Sequence, residues 1–143
     1  MFKIKIKIKM ERITPKYIKV LKENEVFTFG SNRQGRHSLG AALTARKKFG
    51  AIYGQSRGLQ GQSYAIITKE LRNNYESVTL EEIKKEINIF IQFAKSTPHL
   101  TFLVTEIGCA LAGFKPKDIA PLFQEAKDIE NIHLPERFWR LIK

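Results

Sequence analysis

One stretch constrains the fold more than any other: residues 26–50, VFTFGSNRQGRHSLGAALTARKKFG. It reads as a buried strand, a glycine-punctuated turn and a helix, so backbone amides at the helix start face whatever lies beyond the strand's end. Such an arrangement is an anion site. Residues 100–123, LTFLVTEIGCALAGFKPKDIAPLF, repeat the order of strand, glycine-rich loop and helix. Two such loops on neighbouring strands converge on one ligand, and a diphosphate fits both.

The rest of the chain supplies the surroundings of these two units. The chain has 143 residues, 43% of them apolar, which predicts one globular domain with a real core. No apolar run reaches the ~18 residues of a membrane span, and no secretory leader pattern opens the chain. A single cysteine, Cys109, precludes an internal disulfide, so a cytoplasmic location is expected. Lys and Arg number 25 against 14 acids, a formal charge of +11 that attracts polyanions without naming one.

In order, residues 2–10 alternate Phe2, Ile4, Ile6, Ile8 and Met10 with four lysines, as in a half-buried edge strand. The lysines read as protection against edge-to-edge association, with a nucleic-acid stripe as the alternative. Exposed aromatics between the basic residues, which mark single-strand binders, are not evident there. Thr14 and Pro15 predict a capped short helix through Lys22. A strand over 25–29, a loop over 30–39 and a helix from about Gly40 to Phe49 follow, stopped by Gly50. Residues 51–55 suggest a short strand, 54–63 a loop, and 64–68 another strand.

Thr79-Leu80-Glu81-Glu82 forms a capping box, and Leu80, Ile83, Ile87, Phe90, Ile91 and Ala94 recur at helical spacing. Pro98 ends that helix. Residues 100–107 read as a strand buried on both faces, 108–117 as a loop, and a helix should begin near Asp118 because Pro121 is tolerated only in a first turn. Residues 131–134 suggest a last strand, with Phe138, Trp139 and Leu141 as an apolar cap. Strands alternating with helices predict an α/β three-layer α/β/α sandwich with a mixed, mostly parallel sheet. Ligands then bind beyond the carboxyl ends of its strands.

Gly35 to Gly40 has phosphate-loop spacing, but Ala41 and Ala42 replace the Lys-Ser/Thr pair of a Walker motif. No GxGxxG follows a strand. His37, His99 and His133 are scattered without a carboxylate cluster, so neither metal nor cofactor is expected. Cys109 is either a nucleophile near a helix start or a small residue filling a tight loop.

At these residues the sequence resembles a macrodomain, the ADP-ribose-binding fold. In the branch containing DNA ADP-ribosylation antitoxins and terminal ADP-ribose glycohydrolases the first loop is V-N-x-x-G-x-x-G-K-G-I-A, and here it is S-N-R-Q-G-R-H-S-L-G-A-A. The branch's P-T-K is similar to Ile67-Thr68-Lys69, and its I-G-C-G-L-G-G-L-D-W to I-G-C-A-L-A-G-F-K from Ile107. A closer likeness is to small phage-related macrodomain-like proteins with F-x-F-G-S-N-x-x-G-x-H-x-x-G-A-A, G-L-Q-G-Q-S-Y-A-I-x-T and I-G-C-x-x-A-G-F segments.

That resemblance implies binding of ADP-ribose or a related nucleotide. The first loop would contribute Gly30, Ser31, Asn32, Gly35, Arg36, His37, Ser38, Leu39, Gly40 and Ala41, with Thr68 from the middle strand. The second would contribute Gly108, Cys109, Ala110, Leu111, Ala112, Gly113 and Phe114. Asn32 would contact the distal ribose, and the loop from Gln55 to Gln62 would close over the ligand. Where the resembling glycohydrolases carry a catalytic Lys this chain has Leu39, and Ala112 stands where some carry an acid. The adenine-holding Asp maps near Glu11 and Arg12. Binding is thus expected, as in a phage-encoded module that sequesters a nucleotide signal. The alternative is an ADP-ribosyl hydrolase using His37, Lys69 or Glu106, and a third reading is a basic nucleic-acid- or virion-associated protein.

Overall fold

The computed structural model describes residues 11–109 and 112–143. The expected edge strand at 2–10 lies outside them, as do Ala110 and Leu111.

Among the described residues five strands, β1 Glu25–Asn32, β2 Gly58–Gln60, β3 Ser63–Lys69, β4 Thr101–Val104 and β5 Ile132–His133, form one sheet in the order β2-β3-β1-β4-β5. β1 runs parallel to both β3 and β4, and β4 parallel to β5, whereas β2 is antiparallel to β3. The helices are α1 Gly40–Lys48, α2 Leu80–Ser96, α3 Pro116–Ile119, which continues into the 3-10 helix Ala120–Asp128, and α4 Glu136–Leu141. The fold is α/β with a mixed, mostly parallel sheet, as the alternation of elements predicts.

Two cores lie on the two faces of the sheet. Phe27 and Phe29 of β1 meet Ala42 and Ala45 of α1. On the opposite face Val26 joins Ile83, Ile87 and Phe90 of α2, Phe123 of the 3-10 helix, and Phe138 of α4. Period-two alternation along β1 thus feeds both layers of a three-layer sandwich. The capping box of α2 is present: Glu82 N–H donates to Thr79 Oγ1 at 3.1 Å, and Thr79 N–H donates to Glu82 Oε1 at 3.1 Å. Its buried Ile83, Ile87, Phe90 and Ile91 hold it to the sheet, each contributing about 1.5–3 kcal/mol as an upper bound. Helix α1 buries only Ala42 and Ala45, so it approaches the sheet closely.

Several elements differ from expectation. No helix forms over 15–22, because Thr14 is tied into a parallel bridge: its N–H donates to Leu134 O at 2.9 Å, and Ile13 pairs with Leu134. The hydroxyl meant as a cap is buried without a partner. β1 continues three residues further, through Asn32, since Gly30, Ser31 and Asn32 keep their pairing with β3. Residues 51–55 form no strand, because Gly54 turns back to give its N–H to Gly35 O at 2.8 Å. β2 appears inside the predicted loop 54–63, as one arm of a tight hairpin onto β3.

β4 is half the predicted length, and Thr105 leaves the ladder with both its N–H and its hydroxyl on Thr28 O. The helix expected near Asp118 starts at Pro116. Pro121 sits in the first turn of the 3-10 helix, which kinks at Phe123. Phe138 and Trp139 are buried as expected, whereas Leu141 is exposed and Ile142 takes its place.

The crossing order matters for function. From β1 the chain passes through α1 to β3 on one side, and from β3 through α2 to β4 on the other side of β1. The loops leaving β1 and β4 diverge toward opposite faces, which opens a crevice beyond the carboxyl ends of the strands.

Candidate functional site: a cleft between two glycine loops

A cavity of about 400 Å³ fills that crevice. Its volume lies in the range of small-ligand pockets, roughly 300–1,000 Å³. Gly30, Ser31 and Asn32 line it from β1, Arg36, Ser38 and Leu39 from the loop, and Gly40, Ala41 and Ala42 from the first turn of α1. Thr68, Lys69 and Leu71 close it from β3 and beyond, and Thr105, Glu106, Ile107, Gly108 and Ala112 from the second loop.

Close approach of backbones makes the floor. A Cβ on Gly30 would lie 3.1 Å from Thr68 Oγ1 and 3.5 Å from Gly108 N, so a side chain there would press on the Thr68 hydroxyl where β1, β3 and the second loop meet. Thr68 Oγ1 donates to Ser31 O at 3.2 Å, across the same seam. The second loop closes on itself, Phe114 N–H donating to Gly108 O at 2.9 Å.

The first loop is held from within. Asn32 donates from Nδ2 to Arg36 O at 2.9 Å and accepts Arg36 N–H on Oδ1 at 2.8 Å. Its side chain is therefore the loop's clamp, and its backbone is not left-handed. Outside the clamp, Arg33 pairs with Glu70 and Glu82, and Gln34 accepts Leu71 N–H while donating to Glu70. Arg72 foremost, then Gln34 and Arg33, hold the Glu70 carboxyl well down, at about 2.

The cleft's electrostatics suit an anion. Helix α1 begins here with Leu39 at its N-cap, which supplies no side-chain acceptor, and its first turn holds no acid. The first-turn N–H groups and the positive end of the helix dipole thus stay available to a ligand. Arg36 and Lys69 add cationic side chains, and neither is in an ion pair among the described residues. The one carboxylate on the wall, Glu106, is paired with Arg137.

Some expected site residues lie elsewhere. His37 does not reach the cleft: it is fully buried, edge-on to Phe29, with Nε2 at 2.9 Å from Gln55 O and 3.2 Å from Gln60 Oε1. Both partners accept, so Nε2 carries the proton, and the unpartnered Nδ1 faces protein. Its role is to fasten the first loop to the β2 hairpin. That hairpin also fails to close over the cavity, because Gln60 is buried against His37 and Ile52 N–H.

Gly35, Cys109, Gly113 and Phe114 are absent from the lining. Burial pushes the Cys109 thiol up to about 11, which disfavours a thiolate and so favours the space-filling reading over the nucleophile one. The sequence did not single out Ala42, Leu71, Thr105 or Ile107. Thr105 and Ile107 were hidden inside a strand predicted too long, and Leu71 enters only because Gln34 fixes the chain after β3.

No family model, curated protein or solved structure matches this chain. Among the described residues no helix is long and apolar enough to cross a membrane.

Proposed function

We propose that the chain binds ADP-ribose or a related ADP-ribose-derived nucleotide in this cleft, through its diphosphate. The observation that carries the proposal is the meeting of two glycine loops from adjacent parallel strands at the uncapped start of α1. A diphosphate there accepts from first-turn N–H groups, with Arg36 and Lys69 balancing its charge. The small Gly30, Gly40, Gly108 and Ala112 leave room along the floor.

Binding without turnover is favoured by three side chains. His37 is walled off by Phe29, Gln55 and Gln60, and the Glu106 carboxylate is held by Arg137. Leu39 provides no nucleophile or proton carrier. The test is calorimetric titration with ADP-ribose, AMP and NAD. ADP-ribose should give saturable heat at one site, and no heat or thermal shift with any of the three would remove the proposal.

A further inference from the structure

Beyond the cleft, the layer over Phe27 and Phe29 is electrostatically one-sided. Residues 15–22 and helix α1 lie in that layer together, since Ile18 and Leu21 pack on the same cluster as Ala42 and Ala45. Between them they present Lys16, Lys19, Lys22, Arg46, Lys47 and Lys48, all exposed, and contain no acidic residue. None of these six is in an ion pair among the described residues. Helix α2, on the opposite face, is balanced by contrast, with Glu81, Glu82 and Glu86 against Lys84, Lys85 and Lys95.

Aromatic rings stand among these cations. Tyr17 is 79% exposed and Tyr53 56%, with Lys16 Nζ 5.7 Å from the first ring centroid and the Arg46 guanidinium 5.8 Å from the second. Lys16, Tyr17, Lys19 and Lys48 also line a groove of about 910 Å³. The two carboxylates on that groove, Glu106 and Glu136, are already paired with Arg137 and Arg140. A groove of free cations with an exposed tyrosine among them matches a polyanion whose planar groups are unstacked. Duplex nucleic acid hides those faces, and a run of Asp and Glu alone has none.

We infer that this layer binds single-stranded nucleic acid along the groove, its phosphates on Lys16, Lys19, Lys48 and the neighbouring lysines of residues 15–22 and α1, and a base on Tyr17. The test is fluorescence anisotropy of the full chain with a labelled oligothymidylate of about 12 nucleotides, across a salt series. With about five phosphates neutralised, log affinity should fall with log salt at a slope of about −3.5. The combined Lys16→Gln, Lys19→Gln, Lys48→Gln variant should flatten that slope by about 2. Tyr17→Ala should weaken binding at least about fivefold at every salt concentration with the slope kept.

Melting curves matching wild type confirm that these exposed substitutions leave the fold intact. Failure to bind at low salt would overturn the inference. So would binding that both variants leave unchanged, or binding to phosphatidylserine vesicles but not to the oligonucleotide. The groove shares Ala41, Thr105 and Glu106 with the cleft, but none of the substituted residues lines the cleft, so ADP-ribose titration of the same variants separates failure of one site from failure of the other.

Discussion

Ala41→Asp separates ligand binding from folding. Ala41 is the second residue of α1, half-buried and on the cleft wall. An aspartate there places a carboxylate at the N-terminal end of the helix, where the proposed diphosphate lies. At about 5 Å and an effective dielectric of about 20, each pair of unit charges repels by about 3 kcal/mol. Two negative charges on the ligand double this, and the open cleft and salt reduce it by about half. About 3 kcal/mol remains, a loss of roughly 100-fold in affinity.

The fold should not notice. Aspartate costs about 0.6 kcal/mol of helix propensity relative to alanine and regains about 0.5 kcal/mol against the helix dipole, so the melting temperature should move by no more than ~2 °C. Calorimetry with ADP-ribose and a thermal melt on the same sample read both quantities. Undiminished affinity in a folded Ala41→Asp protein would refute the placement of the diphosphate at the start of α1.

Three further outcomes are expected. Arg12→Met should destabilise the fold by about 2–4 kcal/mol in denaturant titration. The Arg12 guanidinium donates to the carbonyls of Ile132, Ile129, Ala126 and Lys127 while lying 5.0 Å from the Trp139 ring centroid. The loss stays below the sum of four orphaned carbonyls because Ala126 O and Ile129 O also accept backbone N–H groups. Glu70 has its carboxyl depressed from the ordinary 4.5 to about 2, so its stabilising contribution is complete above about 4.5 and is lost as pH falls toward 2. Glu70→Gln should therefore flatten the acid limb of thermal stability in that window, and an unchanged limb would show that the Arg33, Gln34 and Arg72 cluster does not hold in solution. Wild type should leave ADP-ribosylated thymidine and glutamate substrates intact, and release of ADP-ribose should appear only with Leu39→Lys. Turnover by wild type that persists in Leu39→Lys and is lost in Lys69→Ala would assign chemistry to Lys69 instead.

The sequence by itself determined the parts whose signals are local. The capping box at Thr79 and Glu82 with the apolar period behind it places α2, because backbone amides and one buried stripe decide a helix of that length. Gly50 ends α1, and the two loops of glycines at strand ends place the cleft, because both depend on residues close in the chain.

Tertiary structure decided what depends on distant partners. Thr14 and Pro15 carry a helix-opening pattern, yet the parallel bridge of Ile13 to Leu134, some 120 positions away, holds the start of that segment out of a helix. His37 sits in a glycine loop, so the sequence allows it catalytic work. The β2 hairpin, formed from residues with little to bury, encloses it and turns it into a fastener. Lys16, Tyr17 and Lys19 lie far from Lys48 in the sequence. They line one groove because α1 and residues 15–22 share the core built on Phe27 and Phe29.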